Sequence, residues 1–302
     1  MEKKHIIASL IVGLVSSGLV YANLYAYAHE FSGDDSASFL ALVETIKVQL
    51  QLVESNLASN VTLAQEHAID ANEHLDNHTI EEIAERNERL SRDLPATLED
   101  LQNSVTNSSA QEIQTKIQNI TDLLGETVSA RINSEQMGNS TVWALVIANL
   151  ADSVVGDYGS AYGIQTEEDH DEESGNVTHN DTETMTEATS AEENITQEEE
   201  IGNNTNNMTT DVNATAGNQT IVSMAHYQSA QALAARTQQL FSEQVKDLAP
   251  ANSTEFTADV EAGLARLKQA IDNKEPFTNV QVILHSEVHP NLGKTYNLQI
   301  IS

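Results

Sequence analysis

The fold is decided by one apolar stretch, Thr141-Val-Trp-Ala-Leu-Val-Ile-Ala-Asn-Leu-Ala-Asp-Ser-Val-Val155. Its large apolar side chains recur at helical spacing: Trp143, Val146, Ile147, Leu150, Val154 and Val155. We therefore predict a helix that begins near Thr141. A second apolar helix is predicted from Ile221 to Leu248, where Pro250 ends it. We expect these two helices to pair as an antiparallel hairpin.

The end of the first of these helices is rich in glycine and tyrosine, in the run Gly156-Asp-Tyr-Gly-Ser-Ala-Tyr-Gly163. Small residues there would permit close helix approach, with Tyr158 and Tyr162 packing over the gap. Alternatively, the run is a fraying helix end that Gly163 caps. Both interpretations fit the sequence.

Residues 165–220, between the two helices, have a different composition. They contain fifteen Asp or Glu and neither Lys nor Arg, and their few aliphatic residues show no period. Such a segment buries too little apolar surface to offset the loss of chain entropy, so we predict a disordered acidic insert. A long insert between paired helices is tolerated because the cost of loop closure grows only logarithmically with length.

Four more helices are predicted before the apolar stretch, namely Phe39–Leu57, Leu63–Leu75, Ile80–Leu101 and Ile113–Val128. Thr79 with Glu82, and Ser109 with Glu112, have the spacing of capping boxes for the last two. Pro95 lies inside the third helix, where we expect a kink or a restart at Asp93, within one bent element rather than two unrelated helices.

Two further helical segments are predicted after the insert. Ser253 or Thr254 would cap a helix that contains Phe256 to Ile271. The segment Pro276–Ser302 favours a helix that ends or restarts near Pro290, although its alternation at Val280 to Leu284 also fits a strand.

The predicted fold class is all-α, an up-and-down antiparallel helical bundle interrupted by the disordered acidic insert. The predicted organisation is an N-terminal bundle in residues 29–164, the insert in 165–220 and completing helices in 221–302. The sequence leaves open whether these form one long bundle or two sub-bundles.

Residues 1–28 have the pattern of an export signal. Lys3 and Lys4 precede an apolar run from Ile6 to Val20, and Ala26-Tyr-Ala28 is a small-x-small cleavage site. Alternatively, residues 6–24 remain as a membrane anchor, since they are about long enough to span a bilayer. Either way we expect an extracytoplasmic protein whose membrane association depends on residues 6–24.

Charge and composition exclude several classes of function. A net charge of −32 at pH 7 repels nucleic acids and anionic lipids. The chain has no cysteine, which excludes disulfides and thiolate metal sites. We find no nucleophile motif, phosphate loop or HExxH zinc-protease helix, and we therefore predict a non-enzymatic protein.

The sequence is unusually rich in N-glycosylation sequons. Thirteen Asn-x-Ser/Thr sites occur, at Asn60, Asn77, Asn107, Asn119, Asn139, Asn176, Asn180, Asn194, Asn203, Asn207, Asn213, Asn218 and Asn252. Seven fall in the insert and most of the others at predicted turns, where a glycan can be solvated. We expect heavy N-glycosylation.

Histidines supply the candidate metal ligands, for a copper, zinc or iron ion. His67, Asp70 and His74 form one stripe of a helix, but the two histidines stand about 10 Å apart along its axis. They could share an ion only if another helix completed the site. His285 and His289 stand at i and i+4 and could share one ion if their segment is helical. The alternative for both pairs is a polar stripe without metal.

His29 offers a different metal site. Cleavage after Ala28 would leave its α-amine and its ring nitrogen able to chelate copper. His170 and His179, in the insert, and His226, at a helix start, are interpreted as incidental.

Four segments carry a resemblance to uncharacterised exported helical-bundle proteins of ammonia-oxidising archaea. They are His29-Glu-Phe-Ser-Gly-Asp-Asp-Ser-Ala-Ser-Phe39, Thr62-Leu-Ala-Gln-Glu-His-Ala68, Tyr227-Gln-Ser-Ala-Gln-Ala-Leu233 and His285 through His289-Pro-Asn-Leu292. Such proteins are distantly similar to extracytoplasmic helical domains of iron-permease systems. This chain lacks the Arg-Glu-x-x-Glu iron motif, so the resemblance implies the fold and compartment and assigns no functional residue.

The function expected from these observations is that of an exported, N-glycosylated helical-bundle protein of the cell envelope, with an envelope protein as its expected partner. Transition-metal binding through histidines is an additional hypothesis. The alternative is a structural cell-surface or adhesion spacer with no specific ligand.

Overall fold

A computed structural model of the chain describes residues 33–164 and 220–298. This part consists of helices and turns and contains no strand, so the predicted all-α class is confirmed. The predicted export segment and His29 lie outside the described residues. The same holds for residues 165–219 of the predicted insert.

The helices before the insert are α1 Gly33–Asn56, α2 Val61–Glu73, α3 Asn77–Arg86, α4 Glu88–Ser104, α5 Ala110–Arg131, α6 Ser134–Met137 and α7 Ser140–Ala161. Those after it are α8 Met224–Leu240, α9 Thr254–Asp272, α10 Phe277–Ile283 and α11 His289–Tyr296. Two π-helical turns, Phe241–Val245 and Leu284–Val288, extend α8 and join α10 to α11. Short 3₁₀ turns precede α9.

Helix α7 is the centre of the bundle. It contains the apolar stretch quoted above, and its buried residues are distributed around most of its circumference. A helix that is apolar on nearly every side must be covered on every side. Helices α1 and α8 and the C-terminal segment pack against it.

The C-terminal end of α7 is capped by a Schellman motif. The Ile164 amide donates to the Gly159 carbonyl and the Gly163 amide donates to the Ser160 carbonyl, both at 3.0 Å. Gly163 has a φ of +71°, the left-handed conformation that the motif requires. Gly159 lies close to the ring of Phe277. Thus Gly163 caps the helix and Gly159 permits close approach, so each of the two interpretations of this run is partly right.

The chain re-enters the bundle at the point where α7 ends. The amides of Val222 and Ser223 donate to the Ala161 carbonyl at 2.8 and 3.2 Å. The Ser223 side chain then accepts from the His226 amide and caps α8. The predicted antiparallel hairpin of α7 and α8 is confirmed. We call Ala161, Val222 and Ser223 the insert base.

Contacts between helices fix their directions. Gly33 lies beside Val142, so α1 and α7 are parallel neighbours that begin at the same end of the bundle. Arg236 pairs with Glu44 at 2.7 Å, and Gln228 bonds to Asn56, so α8 runs antiparallel to α1. The start of α1 and the insert base therefore lie at opposite ends. The 22 residues of α7 separate them by about 33 Å.

One hydrophobic core extends through both halves of the described chain. It includes Leu50 of α1, Ile147 of α7, Leu233 of α8 and Leu264 of α9. The two halves therefore form one bundle rather than two sub-bundles. Helix α1 is the one described helix that is long and apolar enough to cross a membrane, and 72% of its most apolar window is buried inside this core.

Two predicted helix boundaries are wrong. The predicted third helix is divided at Asn87 instead of kinking or restarting at Asp93, because the Asn87 side chain accepts from the Arg89 and Leu90 amides and starts a new helix. Pro95 lies inside α4 without ending it. Helix α3 is capped by Asp76, which accepts from the Thr79 amide at 2.6 Å, so the predicted Thr79–Glu82 capping box is also wrong.

Of the other two predicted caps, one is confirmed and one forms differently. The Ser109–Glu112 capping box is complete. Ser253 holds the N-cap position of α9, but its hydroxyl donates to the Pro250 carbonyl instead of capping the helix. The C-terminal segment is helical, as favoured, and restarts at His289 with Pro290 in its first turn.

Two glycines of α7 provide a test of the packing. Space around Gly156 is open, and Gly156→Ala should stabilise the fold by about 0.5–1 kcal/mol because alanine favours the helix. At Gly159 a new Cβ would lie 3.1 Å from Phe277 Cε2. Gly159→Ala should therefore lose this gain or destabilise the fold, as measured by urea unfolding. Equal stabilisation by both variants would show that Phe277 does not restrict this face.

Candidate functional site

The predicted histidine ligands lie in two separate places. His67, Asp70 and His74 belong to α2 or its C-cap, and α2 packs mainly against α1, α4 and α8. His285 and His289 belong to the C-terminal segment, which packs against α7 and α9. The structure therefore does not bring the two histidine pairs together as one site.

His67 is completely buried and is enclosed by side-chain amides. Its Nδ1 lies 2.9 Å from Gln49 Oε1 and its Nε2 lies 2.9 Å from Gln228 Oε1. Burial lowers the pKa of His67 below its usual value, so the ring is neutral. Both ring nitrogens are occupied, which leaves neither of them to bind a metal.

A neutral His67 satisfies this network when the Gln49 amide is turned over. Asn56 donates to Gln228 Oε1, and the His67 Nε2–H donates to the same oxygen. The Gln49 nitrogen then donates to His67 Nδ1, and its oxygen accepts from the Ser229 hydroxyl. The network connects α1, α2 and α8 within the core.

An ionic contact joins α7 to the start of α8, close to the insert base. His226 Nδ1 lies 3.1 Å from Asp157 Oδ1. The hydrogen bond to Asp157 raises the pKa of His226 above its usual value. His226, interpreted from the sequence as incidental among the candidate metal ligands, thus makes a contact between two helices. His74, the C-cap of α2, lies in the same electrostatic environment; desolvation lowers its pKa, while the carboxylates of Asp157 and Glu73 oppose the shift.

Asp70 is the residue of this cluster whose ionised form is disfavoured by burial. Its Oδ2 is buried and has no hydrogen-bond partner. Burial raises the pKa of Asp70 to about 6, while the nearby His226 opposes the shift and the carboxylates of Asp157, Glu73 and Glu66 reinforce it. Ionised Asp70 therefore destabilises the folded state at neutral pH.

His285 and His289 stand one turn apart, as predicted for a helical segment. Their ring centroids are 5.6 Å apart with the planes at 70°. His289 is 2% exposed, whereas His285 is exposed. His289 Nε2 lies 3.3 Å from Asp152 Oδ1 on α7. Burial and, to a smaller extent, the nearby His285 lower the pKa of His289 to about 4, while a hydrogen bond with the Ala148 backbone opposes the shift.

No preformed metal site is present in residues 33–164 and 220–298. As their side chains stand, no three His, Asp or Glu residues in these ranges are arranged to hold one ion. Of the predicted ligands, the His285–His289 pair retains the spacing for a shared ion. His67 is instead hydrogen-bonded to Gln49 and Gln228, and Asp70 Oδ2 lies 4.0 Å from the His67 Nδ1.

All six sequon asparagines in the described ranges are exposed; they are Asn60, Asn77, Asn107, Asn119, Asn139 and Asn252. Of the ten other asparagines in these ranges, five are exposed. Asn60 and Asn139 also cap α2 and α7 through their Oδ1 atoms. A glycan attached to the amide nitrogen leaves that oxygen able to cap. The remaining seven sequons lie outside the described residues.

Comparison with family models, with curated proteins and with solved structures finds no match for this chain. The resemblance to exported archaeal proteins therefore stays a prediction.

Sequence reasoning missed several residues of both clusters. Gln49 and Gln228 lie 179 positions apart and meet only at His67. Asp152 lies 137 positions before His289, within an apolar helix. One local signal was available, since Asp152 is the single charged residue between Thr141 and Val155.

Removal of the Asp70 charge should change the pH dependence of stability. The native pKa of about 6 exceeds the usual 3.8, so the wild type loses stability as pH rises from 4 to 7. The free energy of unfolding of Asp70→Asn, relative to wild type, should rise by roughly 2–3 kcal/mol between pH 4 and pH 8 in urea titrations. The exposed Asp259→Asn is the control and should show no such rise; a rise of equal size there would contradict the assignment.

The His226–Asp157 contact should give the free energy of unfolding a pH dependence of its own. Since its folded pKa is raised, His226 contributes stability that is fully present below pH 6.5 and is lost as pH rises through the raised value. A double-mutant cycle of His226→Gln and Asp157→Asn should give up to about 1 kcal/mol of coupling at pH 5.5. The coupling should vanish at pH 9; a pH-independent coupling would exclude an ionic contact.

Proposed function

We propose that this protein is an exported, N-glycosylated and non-enzymatic component of the cell envelope, in which the helical bundle carries the acidic segment 165–220. The observation that carries this proposal is the exposure of every described sequon asparagine, against half of the other asparagines. A transferred glycan needs solvent and room around its asparagine. The sequon excess in the sequence supports the same compartment.

The directions of the helices support a display role. The chain enters the bundle at the start of α1, and the acidic segment leaves and returns at the opposite end. If residues 6–24 anchor the protein, the length of α7 would place the insert base about 33 Å farther from the membrane than the start of α1. This distance favours the structural spacer as the second candidate function in the same compartment. We expect an envelope protein as the partner.

Glycopeptide mapping of the native protein tests this proposal. Asn139 and Asn133 form a matched pair, because both are exposed and both cap a helix. Asn139 is followed by Ser140-Thr141, whereas Asn133 is followed by Ser134-Glu135 and is not a sequon. We expect a glycan on Asn139 and none on Asn133.

The variant Thr141→Ala should remove the Asn139 glycan while the helix cap persists, because the cap uses the backbone amide of residue 141. Circular dichroism would check that the fold is retained. A native mass equal to that of the bare polypeptide, with or without residues 1–28, would overturn the proposal.

A further inference from the structure

His289 is an exception among the buried polar groups of the bundle. Its side chain is 2% exposed, yet apart from an approach to the Ala148 backbone neither ring nitrogen makes a well-formed hydrogen bond. Buried polar atoms in folded proteins are nearly always paired, with protein, water or an ion. A buried imidazole this poorly hydrogen-bonded, beside the Asp152 carboxylate, therefore points to a cation as a further partner.

The position of Asp152 fits a metal ion as that partner. Its Oδ1 lies 3.3 Å from His289 Nε2, without the alignment of a hydrogen bond. Zinc binds histidine nitrogen and carboxylate oxygen at about 2.0–2.2 Å. Two ligands of one tetrahedral ion then stand about 3.4 Å apart. The observed separation matches that of neighbouring ligands.

A second imidazole lies next to His289. His285 belongs to the π-helical turn Leu284–Val288 and stands about one turn before His289, with the ring centroids 5.6 Å apart. His285 is exposed, so its side chain can turn without disturbing the core. Single π-helical turns inside α-helices occur frequently at functional sites.

We propose that His289, Asp152 and His285 bind one divalent transition-metal ion, of the zinc or copper class, with water completing the coordination. The ion binds when the His285 side chain turns toward the pair formed by His289 and Asp152. The low pKa of His289 keeps its ring neutral, as a metal ligand must be. This inference concerns the described bundle alone and is independent of export and glycosylation.

Zinc binding by the full chain tests the proposal. Equilibrium dialysis with Zn²⁺ should give one tight equivalent, and Co²⁺ in its place should give the visible absorption of a tetrahedral nitrogen and oxygen site. His285→Ala and Asp152→Asn should each weaken Zn²⁺ binding by at least about tenfold. Both residues are solvent-accessible, with 41% of the Asp152 side chain exposed, so these variants should fold.

The control is His78→Ala, which removes an 80% exposed imidazole on α3, far from the proposed site in sequence. It should leave the tight equivalent unchanged. Zinc bound equally by wild type, His285→Ala and Asp152→Asn would belong to other groups, such as surface carboxylates, and would overturn the proposal. The absence of a tight equivalent in the wild type would overturn it as well.

Discussion

The whole bundle depends on the need to cover α7. A 22-residue helix that is apolar on nearly every side loses stability wherever water reaches it. Helix α1 covers one side, α8 covers a second, and the C-terminal segment covers a third. The small residues Gly159 and Ala148 let these neighbours approach closely. The remaining helices connect these covering elements along the chain.

Polar groups inside the bundle then select one arrangement among many that would bury similar area. The Gln49–His67–Gln228 network is satisfied only when α1, α2 and α8 have one relative register. Arg236 and the nearly buried Glu44 add an ion pair between α1 and α8. Asp70 instead lowers the stability of the fold at neutral pH, because burial disfavours its ionised form. A packed core can tolerate one destabilising group of this kind.

Sequence periodicity predicted the elements whose determinants are local. The Ser109–Glu112 box, the apolar stripe of α7 and the glycine at the Schellman position each act within a few residues. The break at Asn87 was missed because the apolar spacing continues across it, and a single side-chain cap decides it. The contact of Asp152 with His289 depends on how the C-terminal segment lies on α7, which no local pattern encodes.

The hydrogen bonds at the insert base also determine how the chain could be cut. Ala161 and Val222 stay in contact through the backbone, while 60 positions of chain lie between them. A peptide bond broken between residues 165 and 219 would sever the covalent connection and none of the described contacts. The two fragments would share one core and remain associated as a split protein. For the same reason, a change in the length or composition of residues 165–219 would leave the described contacts of the bundle in place.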